Sequence, residues 1–427
     1  MVNLTNLVNF SSGGSLAVGD WTYSAYPLSA PAYLPLNNDT ASYLTSSYPA
    51  LGAIYAPTTV AYSAAATTMP FPAANITYGN GVFMTTAGGS IATSPDGVTW
   101  APNGAPYTLL GKIAYGKGKF SAIYGFGGAY GVTTTNDSGL TFQNSNAYRQ
   151  TQANSTAGQT QITWSDIVYT GNLFVTMGSF LYQVFTGTPD TYVDRYVFGV
   201  SSDGVNYTYT APTLQFGYYN GSVQSRSGAY GGGNLVYSLF GPYDVTAGQS
   251  TSKTVYSTNL GATWVDVATP PPSGTAYIVD TAYGAGLFVA LNAATAGATP
   301  AATNVYYTSP TGNVWTSRTL PASLFWNSIT YANGYFIAVG STAGATTTVY
   351  SSPDGLTWTA RTVPTATGTT GRGRIAGGGG KFVFMDNNVG ATRIGSGVLI
   401  NLNTASAEFS LPYIRPIAGT QAYIKAT

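Results

Sequence analysis

Between residues 327 and 361 apolar and polar positions alternate in short bursts separated by turn residues. Ser328 to Tyr331 and Tyr335 to Val339 are rich in apolar and β-branched residues, and Asn333-Gly334 lies between them. That dipeptide is the strongest short signal for a hairpin. A third burst runs from Thr347 to Tyr350 and a fourth from Leu356 to Thr359, joined by the turn Ser352-Pro-Asp-Gly355. The pattern predicts four short antiparallel strands in succession.

The same unit recurs. Opening hairpins begin at Ile76, Ile113, Ile167, Ala229, Ala282, Ile329 and Ile375, seven copies spaced roughly 40 to 60 residues apart. Four strands at that period predict an all-β fold, a seven-bladed β-propeller with four antiparallel strands per blade. Six blades with an appended sheet is the alternative. The seventh unit departs from the rest. It has short apolar runs at 392–394 and 397–400, and either closes alone or is completed by a strand from around Thr58 to Ser63.

Each of the first six units also carries a corner in its second half, such as Ser94-Pro-Asp-Gly-Val-Thr-Trp100, Ser201-Ser-Asp-Gly-Val-Asn-Tyr207 and Ser352-Pro-Asp-Gly-Leu-Thr-Trp358. A Ser or Asp side chain here accepts hydrogen bonds from N–H groups two or three residues on. The Gly takes positive φ at little cost, and the aromatic returns to the sheet. Asp96, Asp137, Asp203, Asn259 and Asp354 are therefore read as structural. These corners resemble the Asp-box of sialidase-like propellers, a likeness that implies the fold and is nearly silent on function.

Composition narrows the chemistry. Only 7% of residues are charged, and Lys+Arg (15) nearly balances Asp+Glu (14), which leaves no footprint for nucleic acid. With no Cys and no His, thiolate catalysis, Ser-His-Asp triads and His-based zinc sites are excluded. No cofactor or metal is expected. No apolar run reaches membrane-spanning length, and residues 1–10 do not read as a secretory leader.

Residues 1–70 and 401–427 lie outside the repeat, leaving 71–400 for the propeller. Leu34-Pro-Leu36 with Ser46-Ser-Tyr-Pro-Ala-Leu51 resembles the start of phage tail-collar and tail-fibre modules. Phe409-Ser-Leu-Pro412 with the stretch from Ala422 to Thr427 resembles their end. Where the family carries Cys-Asp-Gly after the first Leu-Pro, this chain has Leu36-Asn-Asn. The resemblance implies a propeller inserted into a small collar-like module built from both chain ends. It further implies a virion protein made in the host cytoplasm, partnered by other tail or capsid proteins and a host-surface receptor, and a homotrimer.

Three sets of residues are candidates for recognition or chemistry. Tyr182, Phe185 and Tyr192 lie in an excursion from Gly178 to Arg195, and Phe216, Tyr218 and Tyr219 in one from Tyr207 to Arg226. Aromatic rings in long loops on a rigid scaffold are platforms for sugars or protein partners, and they also serve as packing surfaces. Lys112, Lys117 and Lys119 of blade two, with Arg372, Arg374, Lys381 and Arg393 of blade seven, flank blade one and so could frame one anion, or be scattered solubilising charge. Asp166 and Asp280 precede inner strands and would be the carboxylates of a glycosidase, or plain strand-end residues. Sialidase chemistry further asks for an arginine cluster, a tyrosine and a nearby Glu, whereas the only Glu is Glu408, outside the repeats.

The expectation is a non-enzymatic phage tail-fibre or tail-tip adhesin. The rival readings are a capsid decoration or tail accessory protein and a polysaccharide-degrading or sialidase-like hydrolase.

Overall fold

In a computed structural model of the chain, described residues cover 21–24, 33–35, 42–44 and 60–68, and most of 75–145, 162–267, 277–361 and 374–401. Residues 408–410 and 421–425 complete them. The chain divides into two compact units, Tyr62–Leu399 and the two ends, Met1–Ala61 with Ile400–Thr427.

The larger unit is a set of antiparallel sheets whose strands follow chain order from the inside outward, except that the edge strand of sheet 7 comes from earlier in the chain. Sheet 1 takes residues 75–104, sheet 2 108–144, sheet 3 163–210 and sheet 4 224–266. Sheets 5 and 6 share one 17-residue strand, Thr316–Ala332. Its first half pairs with Thr303–Ser309 as the outer strand of sheet 5, and its second half pairs with Tyr335–Ser341 as the inner strand of sheet 6. Sheet 7 joins Arg374–Gly378, Lys381–Met385 and Gly395–Asn401 to Val60–Thr68. The inner strands neighbour one another in a circuit from sheet 1 through sheet 7 and back to sheet 1. That arrangement is a β-propeller.

The first hairpin turns with two consecutive positive φ values, as at Asn333 (50°) and Gly334 (81°). This is the twist a two-residue hairpin needs. Just past the turn each sheet has a core anchor: Phe83, Phe174, Leu235, Phe288, Phe336 and Phe382 are 0% exposed and Phe120 2%. Each of these Phe rings that has a Tyr opposite it in the hairpin packs against that Tyr, with centroids 4.7 Å apart in the pairs Tyr283–Phe288 and Tyr331–Phe336.

Two sequence-based boundaries need correction. The fourth strand of sheet 6 is Thr359–Arg361, not Leu356 to Thr359, because Asp354 Oδ1 accepts the N–H groups of Leu356 and Thr357 and holds them in the corner. In sheet 7 the strand expected at 397–400 runs Gly395–Asn401, and residues 392–394 lie outside the described residues.

In the smaller unit the two chain ends pair. Trp21–Ser24 and Tyr33–Pro35 flank Gln421–Lys425 on either side, and Ser42–Leu44 pairs with Glu408–Ser410.

Candidate functional site

In every repeat one residue stands just before the hairpin motif, at the point where the inner strand reaches the axis. Round the ring these are Asn75, Lys112, Asp166, Ser227, Asp280, Ser328 and Arg374. In sheets 3 to 6 the pairing register slips beside that residue, between Trp164 and Asp166, Ser225 and Ser227, Ile278 and Asp280, and Trp326 and Ser328. A bulge of this kind re-aims a side chain without ending the strand.

Asp280 is the hub. Its Oδ1 accepts from Lys112 Nζ (3.1 Å), Ser227 Oγ (3.0 Å) and the Thr281 N–H (3.1 Å). Its Oδ2 accepts from Ser328 Oγ (2.8 Å) and the Ile329 N–H (3.1 Å). Lys112 Nζ also lies 3.6 Å from Asp166 Oδ2. Ser227 accepts the N–H of Thr281 in the next sheet, Ser328 that of Ile375, and Asn75 donates to Gly111 O. Each of these contacts therefore fastens one sheet to the following one.

Burial opposes the charge of Asp280, but Lys112, Arg374, the Ile329 N–H and the Ser328 hydroxyl outweigh it and hold the carboxyl below its ordinary range. At Asp166 burial wins over Lys112 and the Ile167 N–H, so this carboxyl is pushed up. Burial lowers Lys112, but Asp166 and Asp280 together more than reverse it.

Beside this network lies a cavity of about 140 Å³, lined by Asn75, Lys112, Asp280, Thr281, Ser328 and Arg374 with four isoleucines beneath them. Among the described residues no group of three His, Cys, Asp or Glu is placed to hold a metal.

The corners sit at the outer ends of the sheets and clamp neighbours. In sheet 3, Ser201 Oγ accepts the Gly204 N–H (2.9 Å), and Asp203 Oδ1 accepts those of Val205 and Asn206 (2.8 Å each). These donors hold Asp203 below its ordinary range against the opposing effect of burial. Gly204 O in turn accepts from Thr134 of sheet 2 (2.8 Å). Asp96, Asn259 and Asp354 repeat the local pattern, and Asp137 lies outside the described residues. The corner tryptophan enters the gap between sheets: Trp264 stacks on Phe198 of sheet 3 at 3.8 Å.

The basic candidates separate. Lys112 and Arg374 line the axial cavity, as framing of one site from sheets 2 and 7 requires. Lys117 and Lys119 instead donate to the Ser202 and Asp203 carbonyls of the next corner. Lys381 lies in an outer hairpin strand of sheet 7, and Arg372 and Arg393 lie outside the described residues. Arg318 and Arg361 donate to Thr308 and Ser351 within their own sheets and do not cluster.

The four aromatic candidates among the described residues are in strands, not loops. Tyr182 and Tyr192 belong to a continuous hairpin, Phe174–Val184 with Thr191–Ser201, and Phe216 and Tyr218 to an added strand, Gln215–Tyr218. Tyr182, Val193 and Tyr218 occupy one register level across three strands. Alternating apolar residues at Phe180, Tyr182 and Val184 are strand-like, and that period explains the continuation. Phe185 and Tyr219 lie outside the described residues.

Sequence reasoning missed Asn75, Ser227 and Ser328. The signal was present: a polar residue stands three positions before the hairpin Tyr in six copies, and three before Gly377 in the seventh.

The fold and its corners define the class: an Asp-box β-propeller. No protein-family model matches the chain, and no curated protein matches it. Among solved structures it is similar to YCF48 bound to D1 peptide (12% identity, 82% of this chain and 98% of that one, TM-score 0.47). It is also similar to the Hadza microbial sialidase Hz136 (13% identity, 78% and 75%, TM-score 0.47) and to Trypanosoma rangeli sialidase (13% identity, 71% and 56%, TM-score 0.40). The chain thus spans about half of the trypanosomal enzyme's length. At these identities the likeness concerns the fold alone.

Proposed function

We propose that this protein is a phage virion component, a tail-fibre or tail-tip adhesin whose propeller is a rigid platform for docking on a host-surface glycan or protein. The observation that carries the reading is the pairing of the chain ends. The segments that resemble the start and end of tail-collar modules hydrogen-bond to one another, Leu34 opposite Ile424 and Tyr43 opposite Phe409. A propeller suits such an insertion because its first and last sheets are neighbours.

Two further features support a role in binding rather than bond cleavage. Asp280, the better connected of the two candidate carboxylates, already accepts five donors, and Asp166 is tied to the backbone N–H of Ile167. The hairpin of sheet 3 also outruns its blade. Thr163 of the inner strand pairs with Ser179, yet the hairpin continues five residues further to Val184, about 17 Å of extended chain. In the proposed assembly several copies per particle multiply a modest affinity.

Labelling intact particles with an antibody to this chain tests the location, and competition between purified protein and phage for host cells tests the role. Label at the tail with reduced adsorption is expected. Label over the capsid with no competition would favour a decoration protein, and release of reducing ends from host polysaccharide would favour a hydrolase.

A further inference from the structure

We propose that the axial cavity is a binding site for a small oxyanion (a phosphoryl, sulfate or carboxylate group), seated on the Arg374 guanidinium under the positive field of Lys112.

Charge is segregated around the ring. Arg374, Asn75 and Lys112 come from three successive sheets and form an arc without an acid, while the acids stand on sheets 3 and 5. Lys112 spends its donors on Asp280, Ser227 and Asp166. Asp280 in turn has five donors and no free lone pair to offer Arg374. The guanidinium consequently makes no hydrogen bond or ion pair among the described residues. It acts on Lys112 and Asp280 only through its field.

Arg presents a fork of parallel N–H groups that matches the paired oxygens of an oxyanion. The second observation is the space itself. At about 140 Å³ the space greatly exceeds the ~10–15 Å³ that one water needs. Isoleucines from four sheets form the rest of the wall and keep the site partly dry, which strengthens an ionic contact.

This site does not depend on the adhesion reading, and either can fail alone. The test is a thermal-unfolding titration of the full chain with sodium phosphate, sulfate or acetate, at ionic strength held constant with chloride. At least one of the three is expected to raise the melting temperature saturably. The phosphate and acetate arms separate a tetrahedral ion from a carboxylate. Arg374→Gln should weaken the apparent affinity ~10-fold or more, read as the shift from its own unliganded melting temperature, and Arg374→Lys should restore part of it. Should Arg374→Gln fail to fold, Arg374→Lys alone carries the test, with saturable binding weaker than wild type expected. No saturable shift with any ion would overturn the proposal, as would a shift that survives unchanged in the folded variants.

Discussion

Tyr78 of sheet 1 lies against Gly378 of sheet 7, so closely that a Cβ on Gly378 would fall within the ring. The same relationship joins Tyr115 to Gly79, Tyr169 to Gly116, Tyr283 to Gly231 and Tyr331 to Gly284, each Tyr belonging to the sheet after its Gly. The Tyr78–Gly378 contact is the one that closes the circuit. The repeated Tyr-Gly pair is thus a device for packing one inner strand on the next, the Gly supplying the space the neighbouring ring fills.

Gly378→Ala should therefore destabilise the propeller by about 1–3 kcal/mol, the usual cost of forcing a methyl into a filled site. The overlap is with the near end of the Tyr78 ring, which cannot swing away. Urea unfolding of the variant against wild type measures this. A Gly378→Ala protein as stable as wild type would mean that sheets 1 and 7 are not in contact.

The repeat, the turns and the corners were legible because each depends on residues close in sequence: Asn333-Gly334 for a hairpin, Ser352 and Asp354 for a corner. The axial network was not. Asp280 gathers partners from sheets 2, 4 and 6, up to 168 residues away, and no local pattern states that they meet. Nor does alternation tell how far a hairpin extends past its blade, which is why Tyr182 and Tyr218 read as loop residues.

Within a corner the two polar side chains should not be worth the same. Ser352 is fully buried, and its Oγ accepts the buried N–H of Gly355 (2.8 Å), so Ser352→Ala strands a donor without water. Asp354 serves the exposed N–H groups of Leu356 and Thr357, which water can satisfy instead. Ser352→Ala should cost about 1–3 kcal/mol, and Asp354→Ala about 1 kcal/mol. Chemical denaturation of the two variants side by side checks the order; the reverse order would refute it.

The axial carboxylates should respond to pH in opposite senses. Asp280 has a folded pKa below its unfolded value of about 3.9, so its stabilisation is present above that pH and is lost as pH falls through the folded value. The deficit of Asp280→Asn should accordingly be full at pH 6 and shrink below about pH 4. Because the Lys112 side chain is 24% exposed, that deficit belongs below the roughly 3–5 kcal/mol typical of a broken, fully buried pair. Asp166 has a raised folded pKa, so ionising it costs stability. Asp166→Asn should gain on wild type as pH rises through the folded pKa, and that gain should vanish below about pH 4. Denaturation midpoints from pH 3 to 8 give both curves; parallel curves would show that Lys112 does not discriminate the two acids.

The extended hairpin of sheet 3 should matter for attachment and not for folding. The Tyr182 level lies beyond the last residue of the inner strand with which this hairpin pairs, Thr163 opposite Ser179, and among the described residues Val193 and Tyr218 share that level. Aromatic residues are the side chains most often found to dominate a binding surface, with truncation costing about 2 kcal/mol or more, near a 30-fold loss of affinity. A Tyr182→Ala, Tyr218→Ala double variant should therefore unfold close to wild type and compete at least ~30-fold more weakly with phage for host cells. Full competition by the double variant would remove this face from the binding surface. A large loss of stability would instead assign the two tyrosines to packing between the hairpin and its added strand.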